Sequence, residues 1–312
     1  MDIDNTLIKI GIDDGQGILK INVQITEHGS SGDCSKSRSK YSDGIAPKMQ
    51  KLGSVKKLFI LLAVPNIPEL HENLACLLSE IDISSIDFSL SSDLKIVLML
   101  LGKDSGACRH ACPYCESCSP WDTVQVPNSL KSLENWHQKW VEDGCEKKRG
   151  KEFQNMQHSP LLSGDPDSMI IDLIPPPELH LLLGVTDKLL TEFARNVFPH
   201  NQGKDFLTSF YKDENITVSG RHGGKLNGNA SRKVLRSMDS FEEKLKQHSD
   251  EHYVLGLPYI TTLRNFCQVV TSCFGMELLP GWSDSLEIFE MSYKQLKSQT
   301  GKSISITPKG NI

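Results

Sequence analysis

The sequence predicts an α/β fold in which a mixed β-sheet is followed by a largely helical region. Apolar and polar residues alternate at 6–13 and 17–25, which is typical of two half-buried strands. Apolar runs and a helical pattern then alternate between residues 56 and 102, and helical periodicity dominates from residue 121 to about residue 298. A hairpin followed by an α/β crossover predicts a mixed sheet with helices packed on it.

The change of pattern near residue 120 predicts two domains. A chain of 312 residues, 38% of them hydrophobic, is long enough for one large core or two smaller ones. Residues 1–120 contain all of the predicted strands, and residues 121–312 contain mainly predicted helices. We therefore expect a sheet-bearing domain over 1–120 and a helical domain over 121–312.

The first three predicted strands are marked by their turns and their apolar runs. Asp14-Gly15 joins the first two strands, and Asp-Gly is a strong hairpin signal. In residues 56–65, two lysines are followed by a continuous apolar run that ends in a proline. Such a run predicts a third strand that is buried on both faces.

A helix, a strand and a second helix are predicted to follow. Leucines recur at helical spacing over 67–81. Residues 86–93 form a short strand, and 93–102 form a helix with Asp93 as its N-cap and Gly102 at its end.

Composition and charge exclude some classes of function. Apolar runs such as Ile96–Leu101 are far too short to span a bilayer, so we expect no membrane partner. The net charge of −5 argues against coating nucleic acid by bulk charge, although a local basic groove is compatible with it. No secretory leader opens the sequence, so the nine cysteines are expected to be thiols or metal ligands in a reducing compartment.

A dense cysteine cluster lies at the predicted domain boundary. The run "ACRHACPYCESC" contains Cys108, His110, Cys112, Cys115 and Cys118. The Cys-x2-Cys spacing of Cys112 and Cys115 lets two thiolates meet one tetrahedral Zn²⁺. An iron–sulfur cluster and a chance group of reduced thiols are the alternatives.

Two aspartates lie at the ends of predicted strands. Asp14 follows the first strand, and Asp93 follows the fourth. Turn formation explains Asp14 and helix capping explains Asp93 without any metal. Two carboxylates at the ends of neighbouring strands would also suit Mg²⁺, because two-metal phosphoryl-transfer sites need shared carboxylates.

The segment 219–236 is the most basic stretch of the helical region. It contains five cations and no acidic residue, and its glycines expose backbone amides. Phosphate contact and a solvated loop leading into a helix are both compatible with this composition.

Five short segments occur in the order in which a known protein family has them. They are Asp14 to Gly17, Asp93 ahead of the Cys112–Cys115 pair, Pro176 to His180, Asn227 to Lys233, and "SISITPK" at 303–309. In this order the chain resembles the catalytic core of DDE-type transposases related to the catalytic subunit of the V(D)J recombinase.

The resemblance implies an RNase H-like fold that is interrupted by a largely helical, zinc-bearing insertion. It implies metal-dependent cleavage and transfer of DNA strands, with Asp14 and Asp93 as catalytic residues that hold Mg²⁺ or Mn²⁺. Structural Zn²⁺ would be held by Cys112 and Cys115. The implied DNA-contacting residues are Lys225, Asn229, Arg232 and Lys233. DNA would be the partner and the location nuclear, and such transposases usually act as dimers, which leaves a homodimer open.

Part of the family pattern has no match in this sequence. In the family, two histidines and a glutamate that is the third metal ligand follow the segment matching 303–309, whereas this sequence stops at Ile312. Met1 lies only a few residues before the first predicted strand, so we expect a core that is truncated at both ends and has no separate DNA-binding domain before it. Strand transfer is expected to be slow or absent, because two carboxylates neutralise metal ions less well than three. The alternatives are a non-catalytic, zinc-dependent remnant that binds nucleic acid or protein, and a fragment without independent function.

Overall fold

The computed structural model divides the chain into two compact units. The first comprises Met1–Pro177 and Lys309–Ile312, and the second comprises Glu178–Pro308. Among the residues that the structure describes, no helix is long and apolar enough to cross a membrane. The described residues are 6–15, 18–27, 58–81, 88–103, 110, 112–116, 126–218, 225–275 and 278–300.

A four-stranded mixed sheet forms the centre of the first unit. Its strands are β1 (Thr6–Gly15), β2 (Ile18–Glu27), β3 (Leu58–Pro65) and β4 (Phe88–Ser92). The spatial order is β3-β2-β1-β4, in which β1 and β3 are both antiparallel to β2 and β4 is parallel to β1. The predicted mixed α/β class is thereby confirmed, because β4 returns beside β1 through an intervening helix.

The first two helices of the first unit are confirmed in the predicted order, and a strand lies between them. The described helices of this unit are α1 (His71–Ser79), α2 (Leu94–Leu100), α3 (Leu130–Glu142), a 3₁₀ helix (Lys147–Phe153) and α4 (Ile170–Leu173). The prediction of Asp93 as an N-cap is confirmed, since its carboxylate accepts a hydrogen bond from the Ile96 amide at 2.8 Å. Gly102 has φ of 72°, and a Cβ there would collide with the carbonyl oxygen of His158.

The apolar core of the first unit joins the sheet to residues far beyond it in the sequence. Ile10 and Ile12 of β1 and Leu19 of β2 are buried with α2, and the same cluster includes Leu133 of α3 and Ile170 of α4. Burying each such side chain contributes about 1.5–3 kcal/mol. Shared burial explains why the compact unit extends to Pro177, whereas the change of sequence pattern lies near residue 120.

The third strand differs from its prediction in one respect. The strand itself is confirmed, but Phe59, Ile60 and Leu61 are 61%, 65% and 51% exposed. The expected burial on both faces is therefore wrong. The reason is strand order, because β3 lies at an edge of the described sheet and pairs there with β2.

The second unit is helical. Its described helices are α5 (Glu178–Val197), α6 (Gln202–Asp213), α7 (Gly228–Arg236), α8 (Met238–His248), α9 (Asp250–Cys273) and α10 (Trp282–Thr300). Phe193 of α5 lies at its centre, where its ring centroid is 5.0 Å from that of Phe241 and 6.0 Å from that of Tyr259. The helical character predicted for this part of the chain is confirmed.

Candidate metal and nucleic-acid sites

The strand register brings the positions of Asp14 and Asp93 to one edge of the sheet. Ile12 of β1 pairs with Ser92 of β4 in the parallel ladder. Asp14 lies two residues after Ile12 on β1, and Asp93 directly follows Ser92. Neighbouring strands lie about 4.8 Å apart. At Asp14 the structure describes the backbone, which pairs with Leu19 across the hairpin.

Asp93 is held in place by the start of α2. Its Oδ1 accepts the Ile96 amide, and the hydroxyl of the preceding Ser92 donates to the carbonyl oxygen of Ile12 at 2.7 Å. These two bonds tie the end of β4 to α2 and to β1. A carboxylate has about four acceptor sites, so capping leaves acceptor capacity for a cation.

The Cys112–Cys115 turn is fixed by a short antiparallel segment. Cys115 forms a β-bridge with Pro127, and the Asn128 amide donates to the carbonyl oxygen of Tyr114 at 2.9 Å. The ammonium of Lys103, which is almost fully buried, donates to the carbonyl oxygen of Cys112 at 3.0 Å. The turn is therefore ordered by hydrogen bonds that do not involve sulfur.

The two thiols face each other. A side-chain hydrogen bond with Cys115, together with burial, raises the pKa of the Cys112 thiol well above its ordinary value. Both sulfurs would lose their protons on binding Zn²⁺, and two adjacent soft ligands fit half of a tetrahedral site.

Further zinc ligands would have to come from the rest of the cluster. Cys108 and Cys118 lie outside the described residues, whereas His110 is described and buried. Within the described part of the chain, no group of three or more His, Cys, Asp or Glu side chains is arranged to hold a metal ion. The described thiol pair thus accounts for two ligands.

Helix α7 carries three of the four predicted DNA-contacting residues on its outer face, and the fourth precedes the helix. Asn227 caps the helix by accepting the Ala230 amide at 2.9 Å. The buried residues of α7 are Ala230, Ser231, Val234 and Leu235. The outer positions, spaced as i, i+3, i+4 and i+7, are Asn229, Arg232, Lys233 and Arg236, and Lys225 is exposed shortly before the helix.

The start of α5 adjoins the start of α7. A Cβ on Gly228 would come within 2.7 Å of the Leu179 side chain, so the two helices approach closely at this glycine. Glu178 Oε1 accepts a hydrogen bond from the Gly275 amide at 2.9 Å. Leu179 and the adjacent His180 are exposed, so two segments that carry the family resemblance meet at one surface of the second unit.

Sequence reasoning did not identify two histidine groups. In the first unit the rings of His71 and His158 stack with centroids 4.2 Å apart. Burial and the charge of His71 lower the pKa of both His158 and His137. These three residues come from separate segments, so no local pattern marks them.

The second group has a local signal. His248 and His252 are four residues apart, and their Nδ1 atoms are 3.1 Å apart in the second unit. A His-x3-His spacing is visible in the sequence, although it does not show that the two nitrogens converge.

Comparison with known proteins gives a partial match. Residues 55–158 are similar to a domain of unknown function, DUF8703. The matched stretch is less than half of the chain, and it includes Asp93, Cys112 and Cys115 but not Asp14. No curated protein matches the chain.

Proposed function

We propose that this protein is a transposase-like DNA-processing protein whose first unit holds Mg²⁺ or Mn²⁺ between Asp14 and Asp93. The observation that carries the proposal is the parallel register of β1 and β4, in which Ile12 pairs with Ser92 just before the two aspartates. An RNase H-like core has this arrangement: three antiparallel strands, then a fourth strand parallel to the first. The topology supports that fold.

The two aspartates would have different tasks. Asp93 would offer an oxygen to the metal while its cap to Ile96 keeps the carboxylate oriented. Asp14 would provide the second carboxylate from β1. A divalent cation bound there would neutralise charge on the oxygens of the scissile phosphodiester. With these two carboxylates alone we expect slow cleavage and little strand transfer.

Cys112 and Cys115 would hold a structural Zn²⁺ with further ligands from Cys108, His110 or Cys118. The facing thiols and the ordered turn support this role. We expect zinc to stabilise the first unit, because a structural metal contributes its binding free energy to folding.

The outer face of α7 would contact DNA. Lys225, Asn229, Arg232 and Lys233 together offer three cations and an amide, which are common phosphate-contacting groups. The resemblance and the proposed DNA partner together lead us to propose a nuclear location.

A second candidate function is DNA binding without cleavage. It is favoured by the same α7 face, where Asn229, Arg232 and Lys233 lie outside a buried stripe regardless of any metal. This function needs neither Asp14 nor Asp93.

Nicking of supercoiled plasmid in the presence of Mn²⁺ tests the proposed cleavage. We expect slow nicking by the full chain, loss of nicking in Asp14→Ala, and full retention in Asp13→Ala. Asp13 is a matched control because it is the adjacent carboxylate on β1 and is exposed. Absence of nicking by the unaltered chain, or equal nicking by both variants, would overturn the cleavage proposal.

Binding of a DNA duplex at several salt concentrations tests the α7 face. Arg232→Gln and Lys225→Gln should each weaken binding and reduce the salt slope by about one. Lys204→Gln, which removes an exposed cation from α6, should leave both unchanged. Weakening of equal size in all three variants would show that binding depends on overall charge and not on α7.

A further inference from the structure

The junction between α8 and α9 brings two imidazoles together. Helix α8 ends at His248 and α9 begins at Asp250, with Ser249 between them in an extended conformation. The Nδ1 atom of His248 lies 3.1 Å from the Nδ1 atom of His252. The two helices are thus interrupted at the point where their histidines converge.

Aromatic neighbours fix the orientation of both rings. The ring centroid of Phe198 is 5.2 Å from that of His248 and 4.6 Å from that of His252. Phe206 also packs edge-on against His248 at 5.9 Å. Since these rings belong to the core of the second unit, the nitrogen pair is preorganised by packing.

The separation of the two nitrogens is suitable for two ligands that bind one metal ion. Histidine nitrogens bind Zn²⁺ at about 2.0–2.1 Å. Two nitrogens 3.1 Å apart would then subtend an angle of about 98° at the metal. This angle lies between the values for square-planar and tetrahedral coordination.

We propose that His248 and His252 form a two-histidine site for a late first-row divalent cation such as Ni²⁺, Cu²⁺ or Zn²⁺. Imidazole is a favoured ligand of these metals, and affinity rises along the series towards Cu²⁺. The described residues provide no third His, Cys, Asp or Glu ligand at this place, so water completes the coordination. The site is separate from the zinc and magnesium sites of the proposed function.

The local charges are compatible with a bound cation. The partial negative charge at the carbonyl end of α8 is opposed by the partial positive charge at the start of α9, and the acidic side chains are Asp250 and Glu251 in the first turn of α9. Lys246, the nearest cation along α8, is paired with Glu242 at 3.0 Å and with Glu243 at 3.1 Å.

A metal ion bound here would add a cross-link between α8 and α9, which already contact each other. The Tyr253 hydroxyl of α9 donates to Glu242 of α8 at 2.9 Å, and Arg264 of α9 pairs with the same carboxylate at 2.6 Å. Without metal, the two Nδ1 atoms share one proton in a hydrogen bond. On metal binding the donor ring carries its proton on Nε2 instead, so that both Nδ1 atoms can act as ligands. Metal binding therefore stabilises the folded α8–α9 junction by an amount that rises with the logarithm of the metal concentration above Kd.

Isothermal titration of the full chain with Ni²⁺ tests the proposal. Beyond any Ni²⁺ bound at the cysteine turn of the first unit, we expect a site whose affinity falls by about tenfold or more in His248→Gln and in His252→Gln. Two controls should retain it. His200→Asn removes another exposed histidine of the same unit at a positive φ that suits asparagine, and Cys76→Ser removes an exposed thiol of the first unit that belongs to no proposed metal site. Unchanged Ni²⁺ affinity in both His248→Gln and His252→Gln would overturn the site.

A second measurement on the unaltered chain does not depend on the folding of any variant. Paramagnetic Ni²⁺ should broaden the ring C–H signals of His248 and His252 first, at substoichiometric metal. Equal broadening of all histidine ring signals, or broadening that spares these two, would show that the pair does not chelate.

Discussion

The β1–β4 edge of the first unit and the α7 face of the second unit assemble their residues in opposite ways. Asp14 and Asp93 are distant in sequence, and the parallel register of two strands brings their positions together. The α7 face is made of residues that are close in sequence, and the helical repeat places them on one side; they are Asn229, Arg232 and Lys233. The first arrangement depends on topology, and the second depends on periodicity.

This difference indicates that the aspartate site is more sensitive to partial unfolding than the α7 face. A site made by topology requires the whole sheet and its helices to be folded, because no short segment contains both aspartates. A site made by periodicity requires one helix and the core beneath it. We therefore expect perturbations of each unit to separate the two activities.

The largest expected effect is a core truncation in the second unit. Phe193→Ala should lower the free energy of unfolding of that unit by about 3–5 kcal/mol, because the ring is fully buried among other aromatic rings. Chemical denaturation monitored through the hydrogen exchange of amides in α5 and α9 measures this loss of stability.

Phe59→Ala is the matched control for Phe193→Ala. The Phe59 side chain is 61% exposed on β3, so its truncation should change stability by a few tenths of a kcal/mol. Equal losses in the two variants would contradict the assigned burial.

A smaller effect separates the two tasks of Asp93. Asp93→Ala should cost about 1 kcal/mol by removing the cap of α2, whereas Asp93→Asn should retain most of that stability, because asparagine also caps helices. Both variants should lose Mn²⁺-dependent nicking. Thermal melting and nicking, measured on the same samples, make the comparison; nicking by Asp93→Asn at the unaltered rate would exclude a metal-binding role.

Removal of zinc tests the cysteine turn. Cys115→Ser should lower the zinc content of the purified protein and its melting temperature, and a chelator should lower the melting temperature of the unaltered chain but not of the variant. Cys76→Ser is the matched control, since this thiol is exposed on α1. Equal zinc content in Cys115→Ser and the unaltered chain, measured by atomic absorption, would contradict the site.

The smallest expected effect is a pH dependence in the first unit. Burial, followed by the charge of His71, lowers the pKa of His158, while Glu72 opposes this shift and His137 and Lys147 add to it. Because the unfolded chain takes up the proton more readily, stability is full above the ordinary pKa of 6.5 and declines as the pH falls below it.

Hydrogen exchange of the Gln157 and Leu161 amides can measure this pH dependence. These amides bond to Gly102 and Leu100, so they report the docking of the segment around His158. His158→Gln should flatten the dependence below pH 6.5. If protection falls equally with pH in His158→Gln and in the unaltered chain, groups other than His158 cause the pH dependence.

Much of the first unit could be predicted from the sequence. Alternation identified β1 and β2, and Asp93 followed by an apolar run identified the capped start of α2. The exposure of β3 could not be predicted, because a run such as Phe59 to Leu61 looks the same in a central strand and in an edge strand. Strand order, which depends on long-range pairing, decides between them.

The candidate sites were predictable to different degrees. The family resemblance supplied the DNA-contacting residues and the two aspartates as predictions, and the register of β1 with β4 brings the positions of Asp14 and Asp93 to the same end of the sheet. The approach of Leu179 to Gly228 could not be predicted, since it depends on how α5 packs on α7. The convergence of His248 and His252 depends on the break at Ser249, which spacing does not reveal.

The central claim is that Asp14 and Asp93 together hold one divalent cation at the edge of the sheet. The most direct test is a Mn²⁺ titration in which the electron paramagnetic resonance signal reports the concentration of free Mn²⁺. We predict that the full chain binds Mn²⁺ at a site that is lost in both Asp14→Ala and Asp93→Asn and is retained in Asp13→Ala. Equal Mn²⁺ binding by all four proteins would contradict the claim.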